Sequence, residues 1–266
     1  MYVNRIVTPS SSKFSACSHF TWSLYEGGIC YLKKGQISES NAQAKAPGYF
    51  VCGYIRNRAG GISGGVKGTF WAEKSDSGGC QMPQGDYAVT DALALGQGDA
   101  LGNLKWRQGL CGQVLRVDCG NGPVDAVVAS TCNLNSNSCG FDMIGKTWRQ
   151  VTGNKSPGVV DCSVSLTNRN PMNGNAPVCY YRPNSEFNNN YYAILGVFNT
   201  GGRVSSSAQV SGVSGKRNND GWFEFNGSGQ PIMNKGAQVV FNFEDGSSSS
   251  FYLSNCASGG QPHIFQ

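Results

Sequence analysis

Asp142 lies in the run from Cys139 to Lys146, directly before a helical pattern in which Ile144, Trp148 and Val151 share one face. A carboxyl in that place has two uses. It can cap the helix, accepting a hydrogen bond from a backbone N–H two or three residues on. It can also serve as an acid or a hydrogen-bonding anchor in a groove. A helix N-terminus stabilises the charged form of an acid, so the capping geometry predicts Asp142 ionised at neutral pH. Hydrolysis with inversion would need a second carboxylate roughly 6.5–9.5 Å away, with a water between the two. Asp86, Asp91, Asp99, Asp118, Asp125 and Asp161 share the same segment. Ser130 is no activated nucleophile without a base, because the only histidines, His19 and His263, lie outside this segment.

The elements that must position these groups are predominantly strands. Only 14% of the 266 residues are charged and 37 are glycine, which favours tight turns over charged helices and an all-β class. VLRVDC and DAVVAS are short β-branched runs, and VVDCSVSL alternates from Val160 to Leu166. Farther on, YYAILGVFN, GWFEFNG, AQVVFNFED and SSFYLSNC are separated by Gly, Asn and Ser clusters, the pattern of an antiparallel sandwich. Asn133 to Ser138 is an Asn/Ser-rich loop suited equally to a plain turn or a site.

Eleven cysteines without a CxxC pair suit a disulfide framework in an oxidising compartment better than a zinc site. Neither a metal nor a cofactor is expected, and the protein is expected to be secreted. The start, MYVNRIVTPSSSK, lacks the apolar core of a signal peptide, so a removed signal or a fragment is expected. No apolar run reaches membrane-spanning length. A net charge of +5 is a mild bias toward acidic polysaccharide, but no basic block has the density of a nucleic-acid-binding arm. No nucleic acid or membrane partner is expected, and the chain reads as a monomer.

Three cysteine neighbourhoods divide the chain: Cys17, Cys30 and Cys52; then Cys80, Cys111, Cys119, Cys132, Cys139 and Cys162; then Cys179 and Cys256. RNRAGGISGGVKG reads as a flexible linker. TNRNPMNGNAP, rich in Asn and Pro, stops strand pairing. The expected organisation is an N-terminal module over 1–57, a Gly-rich linker over 58–65 and a barrel over 66–169. A second linker over 170–177, a sandwich over 178–256 and a tail over 257–266 follow. A bridge from Cys179 to Cys256 would close a large loop and stabilise by about 4 kcal/mol. Asn154-Lys155-Ser156 and Asn226-Gly227-Ser228 are glycosylation sequons.

Gly68-Thr69-Phe70-Trp71, Thr90 to Leu95, CGQVLRVDC, VVASTC, Gly140-Phe141-Asp142 and GVVDCSVSL together resemble the barrel of an expansin. That domain is a six-stranded double-psi β-barrel shared with family 45 glycoside hydrolases. The resemblance implies an antiparallel β-sandwich similar to carbohydrate-binding module family 63 after the barrel, and a helical turn at Thr90 to Leu95. It makes Asp142 the groove carboxylate. Thr69, Trp71 and Phe141 match other groove positions, and Ser130 stands where expansins carry a second aspartate. None of the other carboxylates matches the family's base, near Thr69 to Trp71, so ordinary hydrolysis is disfavoured.

In the sandwich the family stacks a row of exposed aromatics on sugar rings. The resemblance maps that row onto Tyr191, Tyr192 and Trp222; the other reading places these rings in the core, where most strand aromatics go. Alternation sends adjacent tyrosines to opposite faces. CSHFTWSLYEGGICYLKKG, through Cys17, Trp22, Cys30 and Leu32, resembles the second half of a PAN/apple domain, a small disulfide-containing adhesion module.

The resemblance thus implies a secreted protein of the extracellular space or cell wall, active in plant cell-wall loosening. It would bind cellulose, or xyloglucan, xylan or chitin, and loosen the wall without hydrolysis. Two alternatives remain open: a lytic glycan-cleaving enzyme using a single Asp, and a non-enzymatic adhesin or effector that binds a host protein.

Overall fold

The computed structural model describes residues 19–23, 29–33, 50–54, 62–77, 79–132, 139–186, 188–234 and 236–266. The chain divides into two compact units, residues 1–61 and 62–266. In the first, β1 (His19–Ser23), β2 (Ile29–Lys33) and β3 (Phe50–Tyr54) form an antiparallel sheet in the order β2-β1-β3. Cys17 of the PAN-like reading lies outside the described residues.

The second unit opens with a closed six-stranded barrel. Its strands are β4 (Ile62–Phe70), β5 (Ala92–Leu95), β6 (Val114–Asp118), β7 (Val124–Thr131), β8 (Phe141–Met143) and β9 (Val159–Leu166). They close in the order β4-β8-β5-β7-β6-β9, mixing parallel pairs (β4 with β8, β5 with β7) and antiparallel ones. Val66, Leu93, Leu95, Leu115, Val127, Phe141 and Met143 are fully buried in its core. The expected helix is α1 (Gly145–Thr152), which buries Trp148 and Val151, with Ile144 buried as its N-cap.

Three sequence expectations change here. The run expected as a linker over 58–65 is strand from Ile62, which pairs with Val164. The register shifts between Ile62 and Val66, and Gly65 at φ +105° takes up the irregularity at no side-chain cost. Ala92 to Leu95 is not a helical turn but a strand with every residue buried, flanked by β7 and β8. The 170–177 segment lacks a strand but is packed: Met172 is buried and the Pro171 carbonyl accepts from both Ala88 and Val89. Proline here lacks a donor, yet its acceptor is used twice.

The sandwich comprises β10 (Val178–Tyr181), β11 (Tyr192–Phe198), β12 (Ser205–Val210), β13 (Val213–Ser214), β14 (Lys216–Arg217), β15 (Phe223–Asn226), β16 (Gln238–Phe243) and β17 (Ser248–Tyr252). Two four-stranded sheets form, β10-β11-β15-β14 and β13-β12-β16-β17. Leu195, Phe223, Phe225, Val239 and Phe241 fill the space between them. The first sheet's other face packs on the barrel through Ile194 and Phe198, together with Trp222 just before β15.

Residues 257–266 are a strap rather than a free tail. Phe265 is buried, its carbonyl accepts from Ser75 N and its own N–H donates to Ser75 Oγ. His263 stacks on Tyr87 with ring centroids 4.2 Å apart. Nothing in the local sequence around Phe265 marks the pocket that receives it. Disulfides join Cys80–Cys111, Cys119–Cys162, Cys132–Cys139 and, closing the sandwich as expected, Cys179–Cys256. No helix is long and apolar enough to cross a membrane among the described residues.

Candidate functional site

Strand β8 is three residues long, and its alternation sorts its side chains. Phe141 and Met143 point into the barrel and are fully buried, while Asp142 between them points to the outer face and is half-buried. Phe141 therefore cannot line a groove, and its expected contact with a ligand is corrected: it is a core residue that aims its neighbour outward. Asp142 also does not cap the helix. It sits in strand, and α1 begins at Gly145 with Ile144 as N-cap.

Asp142 is opposed to Thr69 on β4 and to Ala94 on β5, and Ala94 is opposed to Ser130 on β7. These four residues form one row across four strands. The Thr69 hydroxyl donates to Asp142 Oδ1. Burial pushes the Asp142 carboxyl above the ordinary aspartate range, and the Thr69 hydrogen bond opposes that rise only in part. Burial thus favours the neutral carboxyl, where a helix cap would have favoured the ionised one. A carboxyl in this setting is better able to carry a proton and to donate to an acceptor oxygen.

Ser130 shares the row but is buried beneath a loop. A Cβ on Gly79 would lie 2.1 Å from Ser130 Oγ and 2.5 Å from its Cα, so the Gly79 backbone rests on the serine. Cys80 N–H donates to the Ala129 carbonyl, and the Cys80–Cys111 bridge fixes the loop. A side chain as large as aspartate would have to displace that loop. Trp71 follows β4, half-buried against the core, with its N–H bonded to the Met143 carbonyl.

The remaining barrel carboxylates are engaged elsewhere. Asp125 is gripped by Arg116 and Arg169, which hold it below the usual range despite its burial. Asp91 accepts from Thr147, Asp86 from Asn173 and Asp118 from the Gly120 N–H. Asp99 pairs with Lys105 and Asp161 with Lys67.

The structure brings a further group to Asp142 that sequence reasoning missed. Cys139 Sγ lies 3.7 Å from Asp142 Oδ1, so the Cys132–Cys139 bridge flanks the acid. The three-residue spacing of Cys139 and Asp142 was a visible signal. These atoms crowd within 4.8 Å of one another, but both sulfurs are in the disulfide and neither is a thiolate ligand. The bridged loop, 133–138, lies outside the described residues.

The three aromatic candidates of the sandwich do not form a row. Trp222 is 1% exposed, and its Nε1–H donates to the Cys80 carbonyl at the barrel boundary, so its expected place on an open platform is corrected. Its ring fills the contact between sandwich and barrel because that sheet face has an apolar partner. Tyr192 is half-buried on the same side. Tyr191, just before β11, is 49% exposed.

Neither a family model nor a curated protein matches this chain. Solved structures do resemble it, and two of them are of an expansin. One is the crystal structure of an apo expansin from Clavibacter michiganensis, with 18% identity and a TM-score of 0.53, covering 76% of this chain and 94% of that one. The other is a mutant of Clavibacter michiganensis expansin in complex with cellohexaose, with 17% identity and a TM-score of 0.51, covering 75% and 93%. At such identities the likeness speaks for the fold, and the fold of barrel plus sandwich is expansin-like.

Proposed function

We propose that this protein binds cell-wall polysaccharide across the outer face of its barrel and loosens glycan packing without hydrolysis. The observation that carries the reading is the lone half-buried Asp142, hydrogen-bonded to Thr69, on an expansin-like fold whose other candidate barrel acids are otherwise engaged. A similar fold has been crystallised as an expansin with cellohexaose, which makes a cello-oligosaccharide chain the first ligand to try. With no carboxylate matching the family's base near Thr69 to Trp71, and Ser130 sealed under Gly79 where expansins carry a second aspartate, inverting hydrolysis lacks its water-activating base. Binding energy would then stabilise separated chains rather than a cleavage transition state. Asp142 would hold a sugar hydroxyl or acetal oxygen, with Thr69 orienting its carboxyl.

Four disulfides fit an oxidising, extracellular setting, and secretion to a cell wall belongs to the same reading. The protein would act as a monomer without metal or cofactor, on cellulose or on an associated xyloglucan, xylan or chitin. The N-terminal sheet would serve as a PAN-like adhesion module.

A second reading draws on the raised Asp142 carboxyl. A single protonated acid suffices for a lytic enzyme that needs no attacking water. Retention on insoluble cellulose, chitin and xylan, measured beside reducing-sugar and anhydro-sugar release, separates the two. Retention without release is the expected result. Release abolished in Asp142→Asn makes the protein an enzyme, and no retention on any glycan overturns both readings in favour of a protein partner.

A further inference from the structure

The row that contains Asp142 continues to a residue with no evident work in the fold. Directly opposed residues of paired strands point to the same side of a sheet. Thr69 is opposed to Asp142 on one flank and to Val159 of β9 on the other. Val159 is 65% exposed, the most open of the large apolar side chains among the described residues. One step along the same face, Lys67 is opposed to Asp161, and the two form an ion pair with both side chains more than half exposed. Gly68, between Lys67 and Thr69, faces inward: a Cβ there would meet Cys162, Met143 and Phe141. That alternation places Lys67, Thr69, Val159, Asp161 and Asp142 on one outer surface.

A single exposed valine is ordinary on a protein surface. What distinguishes Val159 is its register: it ends a row that begins at a half-buried acid and passes through that acid's hydrogen-bond donor. Two strand spacings, about 9.6 Å, separate it from the Asp142 strand. That is the scale of a disaccharide unit.

We propose that Val159 and the Lys67–Asp161 pair form a second sugar subsite, two strands from Asp142, that holds a neutral pyranose of the same glycan chain. The inference rests on the polysaccharide-binding reading above. A pyranose has an apolar C–H face and an equatorial rim of hydroxyls. The valine methyls cover the first. The Lys67 ammonium donates to the rim and the Asp161 carboxylate accepts from it, each already held by the other. Because the pair is neutral in sum, the subsite selects hydroxyl-bearing sugars rather than charged ones.

The test is titration of the full chain with cellobiose and cellohexaose, followed by calorimetry or by chemical-shift change. Wild-type protein is expected to bind cellohexaose more tightly than cellobiose. Val159→Asp should weaken cellohexaose about tenfold, the loss of one valine's apolar contact, and bring it toward the cellobiose value. Val159→Ile should retain it. At 65% exposure neither change is expected to shift the melting temperature, which checks that folding is intact. Unchanged cellohexaose affinity in folded Val159→Asp overturns the subsite and leaves the polysaccharide reading standing. Tighter binding of carboxymethylated than of plain cello-oligosaccharide overturns its neutral preference. Absence of wild-type binding to cellohexaose and to insoluble cellulose overturns both.

Discussion

Strand β8 of the barrel and strand β11 of the sandwich obey the same alternation, with opposite results for binding. On β8, Phe141 and Met143 go to the barrel core and Asp142 remains at an accessible outer face. On β11, Ala193 and Leu195 go to the sandwich core, while Ile194 and Phe198 go to the barrel instead of to solvent. Two-faced burial consumes the sheet surface on which Tyr192 and Trp222 would have made an aromatic platform. A strand's pattern shows that it has two faces, but only the neighbouring domain decides whether the second one stays open. In this molecule the barrel keeps its open face and the sandwich gives one up to hold the barrel.

The largest test of this contrast is Trp222→Ala. Truncating a fully buried tryptophan costs about 3–5 kcal/mol, and the bond from Nε1 to the Cys80 carbonyl is lost as well. Urea denaturation should show a strongly lowered midpoint, while retention on cellulose by the folded fraction stays unchanged. Lost retention with unchanged stability would return Trp222 to a binding surface and erase the difference between the two strands.

Asp142→Asn probes the other side of the comparison with a smaller effect. Because burial raises the folded-state carboxyl above its unfolded value, the protonated form favours folding. That contribution is complete below the unfolded value, about 3.9, and is lost as pH rises through the folded one. Relative to Asp142→Asn, the wild type should lose stability across this acidic window and gain none back toward neutrality. Denaturation midpoints measured from about pH 3 to 7 give the slope. The opposite slope would mean an acid stabilised in its charged form, as a helix cap would be.

Much of the architecture was legible because periodicity is local. VVDCSVSL, VLRVDC and the four sandwich runs became strands, and Ile144, Trp148 and Val151 became the buried side of the α1 region. Thr90 to Leu95 misled because a short apolar run has no period, so helix and strand are indistinguishable until both flanks are known. The outward aim of Asp142 was hidden by its nearness to a helix that begins three residues later. The covering of Ser130 by Gly79 and the bond from Trp222 to the Cys80 carbonyl each join residues distant in sequence through the fold. Val159 stood in the VVDCSVSL run just before its alternation begins at Val160, and its partner Thr69 was not visible there.

The smallest expected effect belongs to the exposed tyrosines, and it sharpens the contrast between open and consumed faces. Tyr191 is 49% exposed before β11 and Tyr252 is 50% exposed on β17, at the edge of the other sheet. Neither is in a core, so each alanine variant should change stability by no more than about 0.5 kcal/mol. Their effects on retention should differ. Tyr191 adjoins the strand that packs on the barrel, whereas Tyr252 ends a strand of the sheet on the far side of the sandwich core. If one bound chain continues from the barrel onto the sandwich, Tyr191 is the exposed ring beside the barrel-packed strand at which to test for it. Tyr191→Ala should therefore weaken binding to insoluble cellulose by the scale of one aromatic contact, about 0.5–1.5 kcal/mol, or roughly two- to tenfold, with Tyr252→Ala near wild type. Equal losses would place the glycan across both sheets. A loss confined to Tyr252→Ala would move the sandwich's contribution to the face turned away from the barrel, and the two domains would then bind independently rather than along one chain.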